Sequence, residues 1–252
     1  MLNIIKRIQN HVEKHGQNGK NVKHGHHHGD DEDHESCISL VPIFNHLEKD
    51  QMDEIMRVTH TVTYRKGENL HRSGDMSDSL YIVNKGRIKI YRLSESGKEQ
   101  LLRILAPGDF TGELALFSET IHESYAEAME EASVCTIKRS EFQSLLLRYP
   151  SISLKVLVAF SNRLEQSEKQ TTRFATEKVE TRIALFLAEC VSQENQSMII
   201  ELPMNKKDLA SYLGTTPETI SRKLSDLENE GYIKQISNRK IEILDLESML
   251  MV

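Results

Sequence analysis

The sequence lacks the features that mark secreted and membrane proteins. Only three cysteines occur among its 252 residues, too few for a disulfide scaffold, and this number fits a cytosolic setting. The longest apolar runs, such as residues 183–188, are far too short to cross a membrane. The first residues have no apolar core followed by small residues. We therefore predict a cytoplasmic protein without a membrane partner.

Catalytic motifs are missing as well. We find no nucleophile with a base at a usable spacing, no glycine-rich phosphate loop and no clustered acid–base pair. His46, His60, His71 and His122 are scattered along the chain, which is typical of surface or core positions. We predict that the chain is not an enzyme.

The chain has no excess of basic charge. Its formal net charge is −6, and acidic residues outnumber basic ones from Glu177 onward as well. Such a charge argues against broad, unspecific binding to nucleic acid. Any binding to DNA must then depend strongly on a matched base sequence.

One stretch, residues 206–224, has the pattern of two short helices joined by a tight turn. Leu209, Ala210 and Leu213 give the first helix an apolar face at helical spacing. Gly214 can take the positive φ that ends this helix, and Thr216 is a suitable N-cap for the second. This arrangement is typical of a DNA-binding helix-turn-helix.

The second helix carries side chains that can contact base edges. Ile220 and Leu224 bury one side, and Glu218, Ser221 and Arg222 share the opposite side. Arginine can bind guanine O6 and N7, and glutamate can accept from cytosine N4. The alternative is an αα-hairpin with a solvated charged face. The predicted DNA-binding residues are Lys206, Lys207, Thr216, Glu218, Ser221, Arg222 and Lys223.

Short alternating runs separated by glycines predict a β-roll over residues ~59–139. Residues 80–83 form one predicted strand, and residues 87–91 form the strand that returns after a turn at Gly86. A long helix follows Pro150, with seam positions spaced alternately by three and four residues. It predicts a dimer, and the alternative is an ordinary helix packed on its own domain. The seam residues are Leu157, Phe160, Leu164, Ser167, Thr171 and Phe174.

These patterns divide the chain into four predicted parts and an α+β fold. They are a disordered tail (1–36), a β-roll sensor domain (37–149), a dimerisation helix (150–175) and a winged helix-turn-helix domain (176–252). Residues 232–236 and 239–243 form the predicted wing.

The N-terminal tail mixes imidazoles with carboxylates. Imidazole suits Zn, Cu and Ni, and a histidine-rich tract can bind such ions without a packed core. A solvated tail or the remnant of an expression tag are the alternatives. A metal-storage or metal-delivery protein built around this tail is therefore the competing class of function. The candidate ligands are His24, His26, His27, His28 and His34.

The stretch 218–222 resembles the recognition helix of the Fnr branch of the Crp/Fnr family of bacterial transcription regulators, and the resemblance extends over residues ~37–250. It implies a cyclic-nucleotide-binding-type β-roll (a jelly roll), a long dimerisation helix and a winged helix-turn-helix. The implied partners are double-stranded DNA, a second copy of the chain and RNA polymerase. The implied DNA site resembles the palindrome TTGAT-N4-ATCAA.

The resemblance also has consequences for the signal to which such a regulator responds. Residues 112–116 and 123–126 match the phosphate cassette of the cyclic-nucleotide-binding relatives. Members that bind cyclic AMP have an arginine where this chain has Glu123, and a carboxylate repels a phosphate. Glu113 matches a contact to a ribose hydroxyl. The alternative function is a transcription regulator that responds to a cyclic nucleotide.

The cysteines argue against the four-cysteine iron–sulfur cluster of the Fnr branch. Only Cys37 and Cys135 match its ligand positions, and Cys190 lies in the other domain. The pattern is more similar to the Fnr-like proteins (FLP) of lactic-acid bacteria, which keep one cysteine at each of these two places and can join them. The resemblance thus implies that Cys37 and Cys135 lie close together. Three roles of these two cysteines remain as alternatives: a reversible disulfide, a Zn or Cu site with histidine ligands, or structural thiols. We predict a regulator switched by thiol redox state or a transition metal.

Overall fold

The computed structural model describes residues 38–118, 120–191 and 198–251. The chain divides after Thr176 into two compact units. Both combine helices and antiparallel strands, so the predicted α+β class is confirmed.

In its described residues, the first unit contains a β-roll and α-helices. Its strands are β1 (Thr59–Tyr64), β2 (Asn69–His71), β3 (Met76–Ser77), β4 (Ser79–Lys85), β5 (Ile88–Leu93), β6 (Glu99–Leu105), β7 (Phe110–Thr111), β8 (Thr120–Ile121), β9 (Tyr125–Ala128) and β10 (Ala132–Lys138). Its helices are α1 (Lys49–Arg57), a 3-10 turn (Glu113–Leu116), α2 (Arg139–Arg148) and α3 (Pro150–Thr176).

Two four-stranded sheets build the roll, in the orders β1-β10-β4-β7 and β2-β9-β5-β6. Val83 and Val134 of the first sheet share a buried cluster with Ile88 and Ile90 of the second. Both strands predicted around Gly86 are present, but the prediction that one returns along the other is wrong, because β4 and β5 pair in different sheets.

Gly86 explains how the chain passes between the sheets. Its φ is 82°, and a Cβ at this position would lie 2.5 Å from the carbonyl oxygen of Glu131. Only glycine fits so tight a passage without a shift of the backbone. Alternating hydrophobicity identifies a strand and its buried face, but it does not identify the neighbour with which the strand pairs.

A second core holds the segment before α1 against the roll and the start of α3. Phe44 packs edge-on against Phe142 of α2, with ring centroids 6.2 Å apart. Ile152 and Val156 of α3 and Cys135 of β10 belong to the same cluster. Fully burying each large apolar side chain contributes about 1.5–3 kcal/mol. The segment's buried members are Ile38, Val41, Ile43, Phe44 and Leu47.

The second unit surrounds a three-stranded sheet with helices. Its elements are α4 (Val179–Glu189), β11 (Ile199–Glu201), α5 (Lys206–Tyr212), α6 (Pro217–Asn229), β12 (Ile233–Gln235), β13 (Lys240–Ile243) and α7 (Leu246–Met249). β13 lies between β11 and β12. The predicted wing is confirmed as β12 and β13, whereas β11, which pairs with β13, was not predicted. Across the described residues no single helix could span a membrane, and α2 and α3 pass that test only as a pair bent by 114°.

Candidate nucleic-acid interface and sensor sites

The turn between α5 and α6 forms as the sequence predicts. Gly214 has a φ of 67°, and the Thr215 N–H donates to the Ala210 carbonyl at 2.9 Å. Thr216 caps α6, because its Oγ1 accepts from the Thr219 N–H at 3.3 Å. These contacts fix the direction in which α6 leaves the turn.

The exposed face of α6 carries the predicted base-reading residues. Ile220 and Leu224 are completely buried on the inner side. Glu218, Ser221 and Arg222 are exposed near the N-terminal end, at spacings that place them on one face. This face therefore offers a carboxylate, a hydroxyl and a guanidinium that base edges can reach.

The three predicted lysines differ in their surroundings. Lys207 is exposed. Lys206 donates to Gln235 Oε1 at 3.2 Å. Lys223 pairs with Glu180 of α4 and with Asp226 at 3.3 Å, and the hydrogen bond to Glu180 is the main cause that raises its pKa. Two of the three charges are thus engaged inside their own unit, which the sequence could not reveal because Glu180 lies far from Lys223 along the chain.

The wing has its own cations. Arg239 donates from Nε at 3.0 Å and from Nη2 at 2.8 Å to the Leu202 carbonyl, so its guanidinium holds the strand that leads into α5. Lys234 and Lys240 are exposed on β12 and β13. The exposed wing charges suited to phosphate are therefore these two lysines.

The cassette glutamate of the β-roll is buried between two arginines. Glu113 is 7% exposed, and its Oε1 lies 2.5 Å from Arg163 Nη1 and 3.3 Å from Arg103 Nη2. Arg163 belongs to α3, and its guanidinium also lies 4.2 Å from the Phe110 ring centroid. Burial raises the pKa of Glu113, but Arg163 and Arg103 outweigh burial and hold this pKa below its ordinary value. One oxygen of the carboxylate that matches a ribose contact thus already pairs with two arginines, whereas its Oε2 is buried without a hydrogen-bond partner among the described residues.

Glu123, at the position that matches the phosphate-binding arginine, is exposed and paired with Arg92. Its carboxylate therefore neutralises the nearest arginine instead of leaving a positive charge for a phosphate.

Cys135 lies completely buried on β10 and is disulfide-bonded. It faces Thr61 on β1, with Oγ1 and Sγ 3.6 Å apart. Cys37 and the predicted ligands His24, His26, His27, His28 and His34 lie outside the described residues.

Cys190 differs from Cys135 because it is a free thiol at the end of α4. Burial raises its pKa to about 11, which leaves little reactive thiolate at neutral pH. Within residues 38–118, 120–191 and 198–251, no group of three or more histidine, cysteine and acidic side chains is placed to hold a metal ion.

Two histidines form a buried pair that sequence reasoning missed. His71 and His122 are 4% and 7% exposed, and their rings stack 3.6 Å apart at 9°. His71 Nδ1 lies 3.1 Å from the Ser124 carbonyl, so this nitrogen donates and Nε2 does not carry a proton. Burial, with a smaller effect of His122, lowers the pKa of His71 to about 4. No local pattern could have indicated this pair, because its members are 51 positions apart in the sequence.

Two family models match the chain, one in each of its two units. Residues 61–149 match the model of the cyclic nucleotide-binding domain, and residues 181–251 match the Crp-like helix-turn-helix domain. The chain is 36% identical to the probable transcriptional regulator flp of Lacticaseibacillus casei, over 85% of this chain and 96% of that protein. The chain belongs to the Crp/Fnr family of transcription regulators.

Two further relatives agree with this membership. The anaerobic regulatory protein of Haemophilus influenzae is 30% identical over 85% of this chain and 82% of its own length. The solved structure of FixK2 from Bradyrhizobium japonicum superposes with a TM-score of 0.67, at 26% identity over 76% of this chain and 96% of that one. This member of the Crp/Fnr family is therefore a DNA-binding regulator and not an enzyme, as predicted.

Crp/Fnr regulators are typically dimers, and α3 of this member has an uncovered apolar face. Leu157 and Leu164 of the predicted seam are exposed, as are Leu154 and Val158. Phe160 is half-buried against Phe117 of its own unit, with ring centroids 5.9 Å apart. Thr171 and Phe174 are exposed nearer the end of the helix. The face available to a partner is thus apolar toward the start of α3 and more polar toward its end.

Proposed function

We propose that this Crp/Fnr regulator binds the palindrome TTGAT-N4-ATCAA as a homodimer, and that thiol oxidation at Cys135 changes its affinity for DNA. The observation that carries the switch is the disulfide-bonded Cys135 in the core that also holds the start of α3. A covalent change in that core alters the surroundings of the helix proposed to pair the two subunits.

Cys37 is the proposed partner of Cys135, because Cys190 is free and because the resemblance to the Fnr-like proteins implies this pairing. Two thiols lose two protons and two electrons to an oxidant such as diamide or a disulfide, and a dithiol reverses the reaction. Closing a loop of roughly 100 residues contributes on the order of 4–5 kcal/mol in the chain-entropy account. The switch acts only through a difference between the two states in their affinity for DNA.

The packing of residues 38–47 supports a path from the disulfide to α3. Val41 and Phe44 are buried in the cluster that contains Cys135 and Ile152. His46 Nε2 lies 2.9 Å from Ser151 Oγ in the first turn of α3. The segment that follows the proposed partner cysteine is therefore in direct contact with the start of α3.

In the proposed DNA complex, Arg222 binds guanine, Glu218 accepts from cytosine and Ser221 contacts thymine. The two recognition helices of a dimer then enter successive major grooves about one helical turn apart. RNA polymerase is the proposed partner on DNA. Zn, Cu or Ni at the histidine-rich tail stays a second proposed signal, tested by calorimetry on the full chain and on a chain without residues 1–35.

The switch is tested by measuring DNA affinity for reduced and diamide-oxidised protein. We expect a several-fold difference in wild type, and we expect Cys37→Ser and Cys135→Ala each to abolish it. Cys190→Ser is the matched control and keeps the response, because this half-buried thiol has a raised pKa. If both of the first two variants respond fully, these thiols are only structural.

The dimer is tested separately. Leu164→Glu places two charges against each other in the proposed interface and should shift sedimentation toward the monomer, whereas Lys155→Glu, an exposed change on the same helix, should not. A stable wild-type monomer at micromolar concentration would contradict the homodimer.

A further inference from the structure

Gln235, the last residue of β12, links this strand to α5 and α6 through hydrogen bonds. Its backbone N–H donates to Glu228 Oε1 of α6 at 2.7 Å, and its Nε2 donates to Glu228 Oε2 at 2.9 Å. Its Oε1 accepts from Nζ of Lys206, the first residue of α5, at 3.2 Å. We call these three residues the Gln235 clamp.

The charges of the clamp determine how the amide is oriented. The backbone hydrogen bond from Gln235 is the largest cause that lowers the pKa of Glu228, followed by the side-chain hydrogen bond from Gln235. Glu228 is therefore ionised, and it can only accept. A carboxylate on one side requires the amide NH2 there, and the ammonium of Lys206 on the other side requires the amide oxygen. The alternative orientation of the amide would lose both side-chain contacts.

The negative charge of Glu228 lies at an unfavourable position on its helix and needs stabilising contacts. It lies in the last turn of α6, which carries no basic residue, and a negative charge near a helix C-terminus is disfavoured by the helix dipole. Two hydrogen bonds from Gln235 and the nearby charges of Lys206 and Lys234 stabilise it there. The strand β12 is consequently held against the end of the recognition helix.

We propose that Gln235 is a positioning residue for DNA binding, which holds the wing relative to α6, and that Lys206 acts through Gln235 and not by binding a phosphate. Lys206 is half-buried with its ammonium directed at Gln235, whereas the neighbouring Lys207 is exposed. Lys234, adjacent to Gln235 and exposed, is the wing charge whose place the clamp fixes.

A double-mutant cycle in the full-length protein distinguishes these two roles of Lys206. The probe is a duplex that the wild-type protein selects from random DNA, so the result does not depend on the proposed palindrome. We expect Lys206→Met to weaken binding about fivefold in the wild-type background and less than twofold beside Gln235→Ala. Lys207→Met is the matched control, and its effect should be the same in both backgrounds.

A pH profile provides a second readout. Gln235→Glu places a second carboxylate beside Glu228, and two such groups cannot both ionise without repulsion. Affinity should fall at pH 8 and recover toward the wild-type value near pH 5.5, when one carboxyl takes up a proton. Wild type and Gln235→Ala should show no such recovery, and melting curves check that each variant is folded.

Two results would overturn the proposal. One is an equal loss for Lys206→Met in both backgrounds, with a decrease in the salt dependence like that of Lys207→Met, which would make Lys206 a phosphate contact. The other is a folded Gln235→Ala protein that binds the selected duplex as tightly as wild type.

Discussion

The two units differ in how far apart their functional groups lie along the chain. In the DNA-binding unit, the turn, the cap and the base-reading face all lie between residues 206 and 224. In the sensor unit, the contacts join distant positions, Glu113 with Arg163 and His71 with His122. A recognition helix is a local structure that helical spacing specifies, whereas the sensor core is assembled from elements that lie far apart in the sequence.

This difference can be tested by the variant with the largest expected effect. Arg163→Met removes one of the two cations that neutralise the buried Glu113. A buried charge that loses a partner costs several kcal/mol, so we expect the sensor unit to lose about 3 kcal/mol in a denaturant titration. Adding Glu113→Gln should restore much of the loss. If Arg163→Met unfolds like wild type, the distant contact contributes little to the sensor core.

The second test uses pH, because the histidine pair titrates with folding. The folded pKa of His71, about 4, lies below its ordinary value of 6.5, so the unfolded chain takes up the proton first as pH falls. Stability is fully present above pH 6.5 and is lost progressively down to pH 4, by up to about 3 kcal/mol. Burial also lowers the pKa of His122, and the charges of Asp75 and Asp78 oppose part of that shift.

Unfolding curves between pH 7 and 4.5 measure this loss. His71→Phe keeps an aromatic ring without a titrating group and should flatten the pH dependence, whereas the exposed His60→Gln should leave it unchanged. An equally steep pH dependence in His71→Phe would assign the effect to other groups.

The same contrast explains what the sequence could predict. The cap at Thr216 and the positive φ at Gly214 depend on neighbouring residues, and the structure confirms both. The pairing of β4 and β5 was wrong, because sheet partners are set by the global fold and Gly86 carries the chain to the other sheet. The engagement of Lys223 with Glu180 was also hidden, since exposure cannot be read from residue type alone.

The third test concerns the local region. Arg222→Ala should lose about 1–3 kcal/mol per half-site and blur the preference for guanine, because its fork of donors has no substitute on α6. Lys223→Ala, one position along the helix, should cost much less, since its ammonium already pairs with acidic side chains. Binding to the proposed palindrome and to a scrambled duplex measures both. Equal discrimination by wild type and Arg222→Ala would contradict the assignment of the recognition face.

The smallest expected effect is that of cyclic AMP, for which the sensor unit offers a poor site. By the resemblance, a ligand phosphate would meet the carboxylate of Glu123, and Oε1 of Glu113, which matches the ribose contact, already pairs with Arg103 and Arg163. Cyclic AMP should therefore produce no binding heat in calorimetry and no change in DNA affinity. Glu123→Arg removes the repulsion but leaves Glu113 engaged, so this single variant should gain only weak binding. Tight binding by wild type would show that the two arginines release Glu113 easily, and the buried ion pairs would then be part of a ligand site after all.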